Sequence, residues 1–312
     1  MHAGENVEVH DPARTHCIAC GSTSIRYWRS KSYAYSSRRH ETSFHIYRCR
    51  DCGSGFLNPP PSDALLEQIY AYSGHGLQTP VSSRDILDRE RDFPNSTLDA
   101  DRIVRKAAAF ATASGGNALD VGSGYGFYTK KLMECGYHTT SVNPGIYENE
   151  VFREICGHEP LPVYFQDFFT DVRFDIIVMS QVLEHMKSPV QAVRKVSNLL
   201  ANGGVLACAV PNFRSFSVML RGTGDNGCLW VPEHVNYFTA TGLGRLISSC
   251  GIRVVHYEYI TRLPCHKISR CLGLSGHGSF DRLLSAGVNG CGRLVDRFGF
   301  GICINMYAVK GE

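Results

Sequence analysis

Asn117-Ala118-Leu119-Asp120-Val121-Gly122-Ser123-Gly124-Tyr125-Gly126 decides the fold. Asn117 to Val121 reads as a short buried strand. Glycines at alternate positions follow at once, and Phe127, Leu132 and Met133 then fall on the inward face of an amphipathic helix. Strand, glycine loop and helix in direct succession bring backbone N–H groups close to a ligand, and the helix N-terminus favours that ligand's carboxylate. The spacing is G-x-G-x-G. A dinucleotide fingerprint has its last glycine one place later, where Phe127 stands, so the loop disfavours a nicotinamide cofactor.

Outward from this loop the strand–helix alternation continues. Strands are predicted over 138–142, 162–166, 174–179 and 204–210, with helices over 146–155 and 189–200. This pattern is an α/β, doubly wound parallel sheet. Ligands of such sheets lie beyond the carboxyl ends of the strands, which makes Asp120, Asn143, Asp167, Ser180 and Gln181 one edge of a cofactor cleft. Thr239 starts a further helix with Leu243, Leu246 and Ile247 inward, and strands follow over 252–260 and 302–309. Residues 265–300, broken by glycines, read as a helical insertion.

Toward the N-terminus, Cys17 and Cys20 form one C-x-x-C knuckle and Cys49 and Cys52 another, each followed by glycine. Two intervening residues let both thiolates of a knuckle reach one ion, and two knuckles complete a tetrahedral four-sulfur site with no open position, so a structural zinc is expected. Strand-like stretches at 25–28 and 43–47 make this a small β-ribbon, for which zinc substitutes for a missing core. Between Arg14 and Asn58 stand eight Arg or Lys against Glu41 and Asp51, with Tyr27, Trp28, Tyr33, Tyr35, Phe44 and Tyr47 among them. Cations mixed with aromatics suit single-stranded nucleic acid. The simpler reading, which we favour, is that the cations offset thiolate charge and the aromatics cover one side of the ribbon. The expected organisation is a ribbon over 14–58, a linker helix capped by Ser62 and a lid loop over 59–95, and a main domain over 96–312 whose insertion spans about 262–300.

Composition narrows the classes. The 312 residues carry a net charge of only +3 and are 43% hydrophobic, enough for a globular core and too little basic excess to announce nucleic acid or anionic membrane as the partner of the whole chain. No apolar run approaches the ~20 residues that cross a bilayer. The polar first residues lack the pattern of a secretory leader, and of the thirteen cysteines those outside the knuckles sit mostly singly in apolar segments, so a reducing, cytoplasmic setting is expected.

The chain resembles class I methyltransferases, in particular a broad bacterial family that places a two-knuckle zinc ribbon before the catalytic domain. The resemblance spans nearly the whole chain and rests on 119–126 (LDVGSGYG), 174–185 (FDIIVMSQVLEH) and 232–238 (PEHVNYF). It implies a Rossmann-like, seven-stranded methyltransferase sheet whose last strand inserts antiparallel beside the fifth, with S-adenosylmethionine as cofactor. By the same resemblance Gly122, Ser123, Gly124 and Gly126 hold the amino-acid end of the cofactor, Asp167 the adenine amino group, and Gln181 lies near the reacting methyl. The family's acid at the end of the second strand, which accepts both ribose hydroxyls, is Asn143 here, at a cost of about 1 kcal/mol of charge assistance. A divalent ion held at the second motif by two acids and a histidine, as in some relatives, is not expected, because Gln181 replaces one acid.

The methyl donor is already activated, so the protein must align a nucleophile, and a hydroxyl acceptor also needs a base. His234 is the first candidate, with His185, Glu233 and Tyr237 as alternatives. The function expected is methyl transfer to a small-molecule or glycan hydroxyl in a biosynthetic pathway. Two other readings are an RNA methyltransferase that positions substrate with the basic ribbon, and a catalytically silent binding protein of the same fold.

Overall fold

The computed structural model describes residues 9–34, 41–72, 82–92, 95–112, 115–145, 148–224, 227–261 and 292–311. Its main sheet is built from β4 (Asn117–Val121), β5 (His138–Val142), β6 (Phe174–Ser180), β7 (Leu200–Pro211), β9 (Ile252–Ile260) and β10 (Cys303–Lys310), in the order β5-β4-β6-β7-β10-β9. β5, β4, β6 and β7 are parallel, and β10 lies antiparallel between β7 and β9.

Both faces of the sheet are covered, which explains why its strands are apolar at odd and even positions alike. Leu119, Val121, Ile177, Met179, Leu206 and Cys208 point to one face, against α6 (Pro189–Leu199) and α8 (Ala240–Ser249). Ala118, Ile176, Val178, Val205 and Ala207 point to the other, where they meet Ile103, Val104 and Ala107 of α3 (Asn95–Phe110) and Leu132 of α4 (Phe127–Glu134). On α4 the inward set differs from the expected one: Met133 is exposed and Thr129 is fully buried. A hydroxyl is tolerated there because it donates to Asp120 and shares a hydrogen with Ser141.

The predicted strand over 162–166 is not formed. Only Leu161 pairs, by a parallel bridge to Val142, with Leu161 N–H donating to Ser141 O and Asn143 N–H to Leu161 O. Val163 N–H, the next donor the ladder would use, turns back to Leu161 O instead, and the chain enters a short 3-10 segment, Phe165–Asp167. Among the described residues the sheet therefore has six strands, with a one-residue bridge at the seventh place.

Residues 83–92, expected as part of a loop, form α2 (Ser83–Asp92). Its sequence is almost wholly charged and shows no apolar stripe; Ser82 Oγ accepts from Asp85 N–H, and Ile86 is the buried anchor. The rest of the expected lid, 73–81, and most of the expected insertion, 262–291, lie outside the described residues. Helix α5 (Asn149–Cys156) starts three residues later than predicted.

The N-terminal strands β1 (Ile25–Ala34), β2 (Glu41–Cys49) and β3 (Gly55–Leu57) form an antiparallel sheet whose fourth strand, β8 (Asn236–Tyr237), comes from the loop after β7. Cys17, Ile18, Cys49, Cys52 and Phe56 share one apolar cluster with Leu243, Leu246 and Ile304 of the main sheet and its helix. The ribbon thus has no separate core. Thr239 stitches the two parts: its hydroxyl donates to Cys52 O at 2.6 Å and accepts from Gly242 N–H, capping α8.

Candidate functional site

The hairpin β1–β2 and its flanking turns bring the sulfurs of Cys17, Cys20, Cys49 and Cys52 within 4.8 Å of one another. Cys17 to Cys52 is 3.6 Å and Cys20 to Cys49 is 3.7 Å. Four sulfurs bonded to zinc at about 2.3 Å stand about 3.8 Å apart at the corners of a tetrahedron, so the set fits such an ion. Gly21 and Gly53, at φ 72° and 76°, close the knuckles and donate to Cys17 O and Cys49 O. The thiols cannot all ionise unaided: the hydrogen bond with Cys17 pulls Cys52 down to about 5, while that same contact and burial push Cys17 up. Arg26, Arg48 and Arg50 line a hollow of about 350 Å³ with Cys49 and Gly53, next to the thiol charge. Of the interleaved aromatics, Phe44 is buried and Trp28 packs edge-on against Phe213, whereas Tyr27 is exposed.

In the glycine loop all three glycines are left-handed, at φ 67°, 49° and 88° for Gly122, Gly124 and Gly126. A Cβ on Gly122 meets Val182 Cγ2 at 2.5 Å, and one on Gly126 meets Cys156 Sγ at 2.7 Å and Phe152 at 2.8 Å; one on Gly124 meets nothing within 4 Å. The outer two therefore let the loop pack on protein, and the middle one faces open space. Gly122 and Ser123 N–H both donate to Val142 O, so β4 and β5 are tied where they end. Ser123 Oγ is buried with no hydrogen-bond partner. An orphaned hydroxyl beside an open glycine fits a polar ligand end there. Asp120 lies behind the loop, accepting from Thr129 Oγ at 2.7 Å, with its carboxyl raised by burial to about 6.

Asn143 is buried, and its amide donates to Gly145 O at 3.1 Å. Glu148, which the sequence reading missed, comes to the same spot: a Cβ on Gly145 falls 2.2 Å from Glu148 Oε2 and 3.3 Å from Asn143 Nδ2. Its charge also pushes up Tyr125 of the glycine loop, after burial, the larger cause. An acid absent from the strand end thus stands five residues on, a separation no strand-end motif announces. Asp167 is exposed on the 3-10 turn, beside Lys195, whose ammonium donates to Gln166 O.

Gln181, directly after β6, is the one non-glycine residue with positive φ among the described residues, at 57°. Backbone strain of this kind costs of order 1 kcal/mol and persists where surrounding bonds hold it; here its N–H donates to Ala209 O. Beyond it, residues 182–186 interlock with 233–237. Val235 N–H donates to Glu184 O, and Asn236 Nδ2 donates to Met186 O at 2.7 Å and Leu183 O at 3.3 Å. Arg14 of the ribbon reaches the same knot, donating to Asn236 Oδ1 and Lys187 O.

Inside the knot the rings of His185 and His234 meet edge to face at 4.7 Å. His185 Nδ1 lies 3.0 Å from Glu233 O and His234 Nδ1 2.9 Å from Cys228 O. A carbonyl only accepts, so both Nδ1 atoms carry hydrogen. The Glu184 carboxyl completes the group, both oxygens buried without a hydrogen-bond partner, and burial raises it to about 8. Burial lowers His234 to about 4, so it is neutral near pH 7. Tyr237 stands apart: its ring stacks on Phe213 in the apolar cluster under the ribbon, and burial drives its hydroxyl well above the usual range. A hydroxyl so placed is no proton acceptor, which removes Tyr237 from the candidate bases.

A family profile described as a methyltransferase domain matches residues 95–257. Ubiquinone biosynthesis O-methyltransferase of Coxiella burnetii is 26% identical over 166 residues, covering 47% of this chain and 70% of that protein. The protein of the same description from Caulobacter vibrioides is 24% identical over 139 residues, 42% of this chain and 55% of its own. Among solved structures, the N-methyltransferase NodS of Bradyrhizobium japonicum with S-adenosyl-L-homocysteine is 13% identical and overlays at a TM-score of 0.48, covering 72% of this chain and 91% of its own. Among the described residues no helix is long and apolar enough to cross a membrane.

Proposed function

We propose, from the premise that the chain belongs to the methyltransferase domain family and is an S-adenosylmethionine-dependent methyltransferase, that it methylates a hydroxyl oxygen of a small-molecule or glycan acceptor in a biosynthetic pathway. The observation that carries this reading is the His185–His234 pair, held by carbonyls in the loops that follow β6 and β7, the sheet edge that also bears the glycine loop. The relatives named as O-methyltransferases favour oxygen over nitrogen.

When bound, the cofactor supplies a methyl on a sulfonium, which needs an aligned nucleophile and little else. Gly122, Ser123, Gly124 and Gly126 receive its amino-acid end. Asn143 and Glu148 would hold the ribose hydroxyls, and Asp167 the adenine amino group. Gln181, fixed by its strained backbone at the end of β6, would stand near the methyl. As the acceptor oxygen attacked the methyl carbon and the carbon–sulfur bond broke, the hydroxyl proton would pass to Nε2 of His234, whose ring is neutral near pH 7 and so has a lone pair to take it. The four cysteines hold a structural zinc that fixes the ribbon against β8.

Hydroxyl acceptors, among them catechols and sugar nucleotides, incubated with isotope-labelled methyl donor test the reading. The expected product carries one labelled O-methyl group, and His234→Gln lowers its rate by about 100-fold or more while cofactor affinity is kept. Labelled methyl found only on nitrogen or carbon, or an undiminished rate in the variant, overturns it. Salt-sensitive retention of RNA by the ribbon, lost on replacing Arg26 and Arg50, supports the RNA-directed alternative instead.

A further inference from the structure

We infer that Arg26, Arg48 and Arg50 of the ribbon form a site for the phosphate groups of a small phosphorylated molecule. They line one hollow of about 350 Å³, with Cys49 and Gly53 as its remaining walls. That volume lies at the lower end of small-ligand pockets, about 300–1,000 Å³, and its side chains are cationic where most such pockets are apolar.

Without an anion the arrangement is unfavourable. Arg26 on β1 stands directly opposite Arg48 on β2, and like charges so placed repel. Among the described residues no carboxylate forms an ion pair with any of the three. Asp51, next in sequence to Arg50, instead accepts from Ser22 Oγ. Arg48 is fixed in place: its Nε donates to Gly53 O at 3.3 Å, and its guanidinium lies 5.9 Å from the centre of the Phe213 ring. A planar guanidinium fork held this way matches two phosphate oxygens at once.

The four-cysteine cluster does not use up this charge. A zinc ion on four thiolates leaves about two negative charges, fewer than the three guanidiniums. Alternation along β2 turns Cys49 into the cluster shared with the main sheet and Arg48 the other way, over Phe213. Among the described residues none of the three arginines donates to a cysteine sulfur. RNA fits the hollow less well, because a bound strand stacks successive bases on aromatic faces. Phe44 is buried, and Trp28, Tyr33 and Tyr47 pack against the apolar clusters, which leaves Tyr27 as the exposed aromatic among the described residues of the ribbon. The use of the site, anchoring the phosphate end of a methyl acceptor, rests on the proposed reaction; the binding itself does not.

Calorimetric titration of the full-length, zinc-loaded protein at low salt, without methyl donor, tests the site. The probes are inorganic pyrophosphate, uridine diphosphate and a uridine oligonucleotide. Pyrophosphate or the nucleotide is expected to bind once per chain, and Arg26→Gln and Arg50→Gln, both at exposed positions, should each weaken that binding about tenfold or more. Equal affinity for the two locates recognition in the phosphates, tighter binding of the nucleotide adds the nucleoside to it, and both results support the site. Without ligand, Arg26→Gln should melt no lower than wild type, because a repulsion is relieved. A lower melting temperature together with lost zinc would show that the arginines balance the thiolates instead. That outcome, no heat with either phosphate probe at millimolar concentration, binding undiminished in the variants, or tighter and steeply salt-dependent binding of the oligonucleotide overturns the proposal.

Discussion

Alanine at Gly124 and alanine at Gly126 are expected to fail in different assays. At Gly126 the new Cβ falls 2.7 Å from Cys156 Sγ and 2.8 Å from the ring of Phe152, both carried by α5, with Phe152 fully buried. The backbone there has φ 88°. A left-handed alanine costs about 1–2 kcal/mol and overpacking about 1–3 kcal/mol, together about 2–5 kcal/mol. At Gly124 the Cβ meets nothing within 4 Å and φ is 49°, inside the region an L-residue tolerates, so only the first cost applies, about 1 kcal/mol. The open space beside Gly124 is where the cofactor is proposed to sit. Urea unfolding without ligand should therefore rank Gly126→Ala far below Gly124→Ala. Calorimetric titration with S-adenosylhomocysteine should show Gly124→Ala binding about tenfold more weakly, or worse, than wild type, about 1.4 kcal/mol. Wild-type affinity in Gly124→Ala, or wild-type stability in Gly126→Ala, would refute this account of the loop.

Glu148→Gln should weaken cofactor binding about tenfold with little change in melting temperature; if affinity is unchanged, the ribose is not read by this acid. Asp120 has its folded-state value raised from 3.8 to about 6, so the folded state holds its proton more tightly and the contribution to stability is full below about pH 4 and lost as pH rises through 6. The gap corresponds to about 3 kcal/mol, and Asp120→Asn should flatten that part of the stability-against-pH curve; an unchanged slope would show that Asp120 is not its source. Removing the zinc proposed for the four cysteines with a chelator and a thiol reagent should lower both the melting temperature and methyl transfer, because β3 pairs with β8 inside the knot proposed to be catalytic. Full turnover by metal-free protein would separate the two. Thr239→Val removes the bond to Cys52 O and the cap of α8 together and should cost about 1–2 kcal/mol in urea unfolding; an unchanged midpoint would deny the stitch.

Much of this molecule was legible because its local signals agree with its packing. Asn117 to Gly126 carries its own strand, turn and helix start, and both C-x-x-C-G knuckles state their geometry through spacing alone. What escaped was set by tertiary context. α2 lacks an apolar stripe, and one buried residue, Ile86, anchors it. A strand that composition favoured ended where Val163 N–H turned back to Leu161 O. Thr129 took an inward place because Asp120 and Ser141 satisfy its hydroxyl, which no periodicity reveals. Within the site, the sequence named His185 and His234 separately, 49 positions apart, and only the crossing of two loops shows that they touch. Tyr237 had the right chemistry and the wrong face, since alternation along β8 turns it under the ribbon.

The pairing of β3 with β8 means that residues 55–57 and 236–237 must be exchanged together when segments are recombined between homologues. A chimaera that imports a foreign ribbon alone inherits a mismatched tongue for the groove beside Asn236, and Arg14 arrives without its acceptor geometry. A recombination breakpoint at residue 58, where sequence alone would draw the seam, should therefore be poorly tolerated.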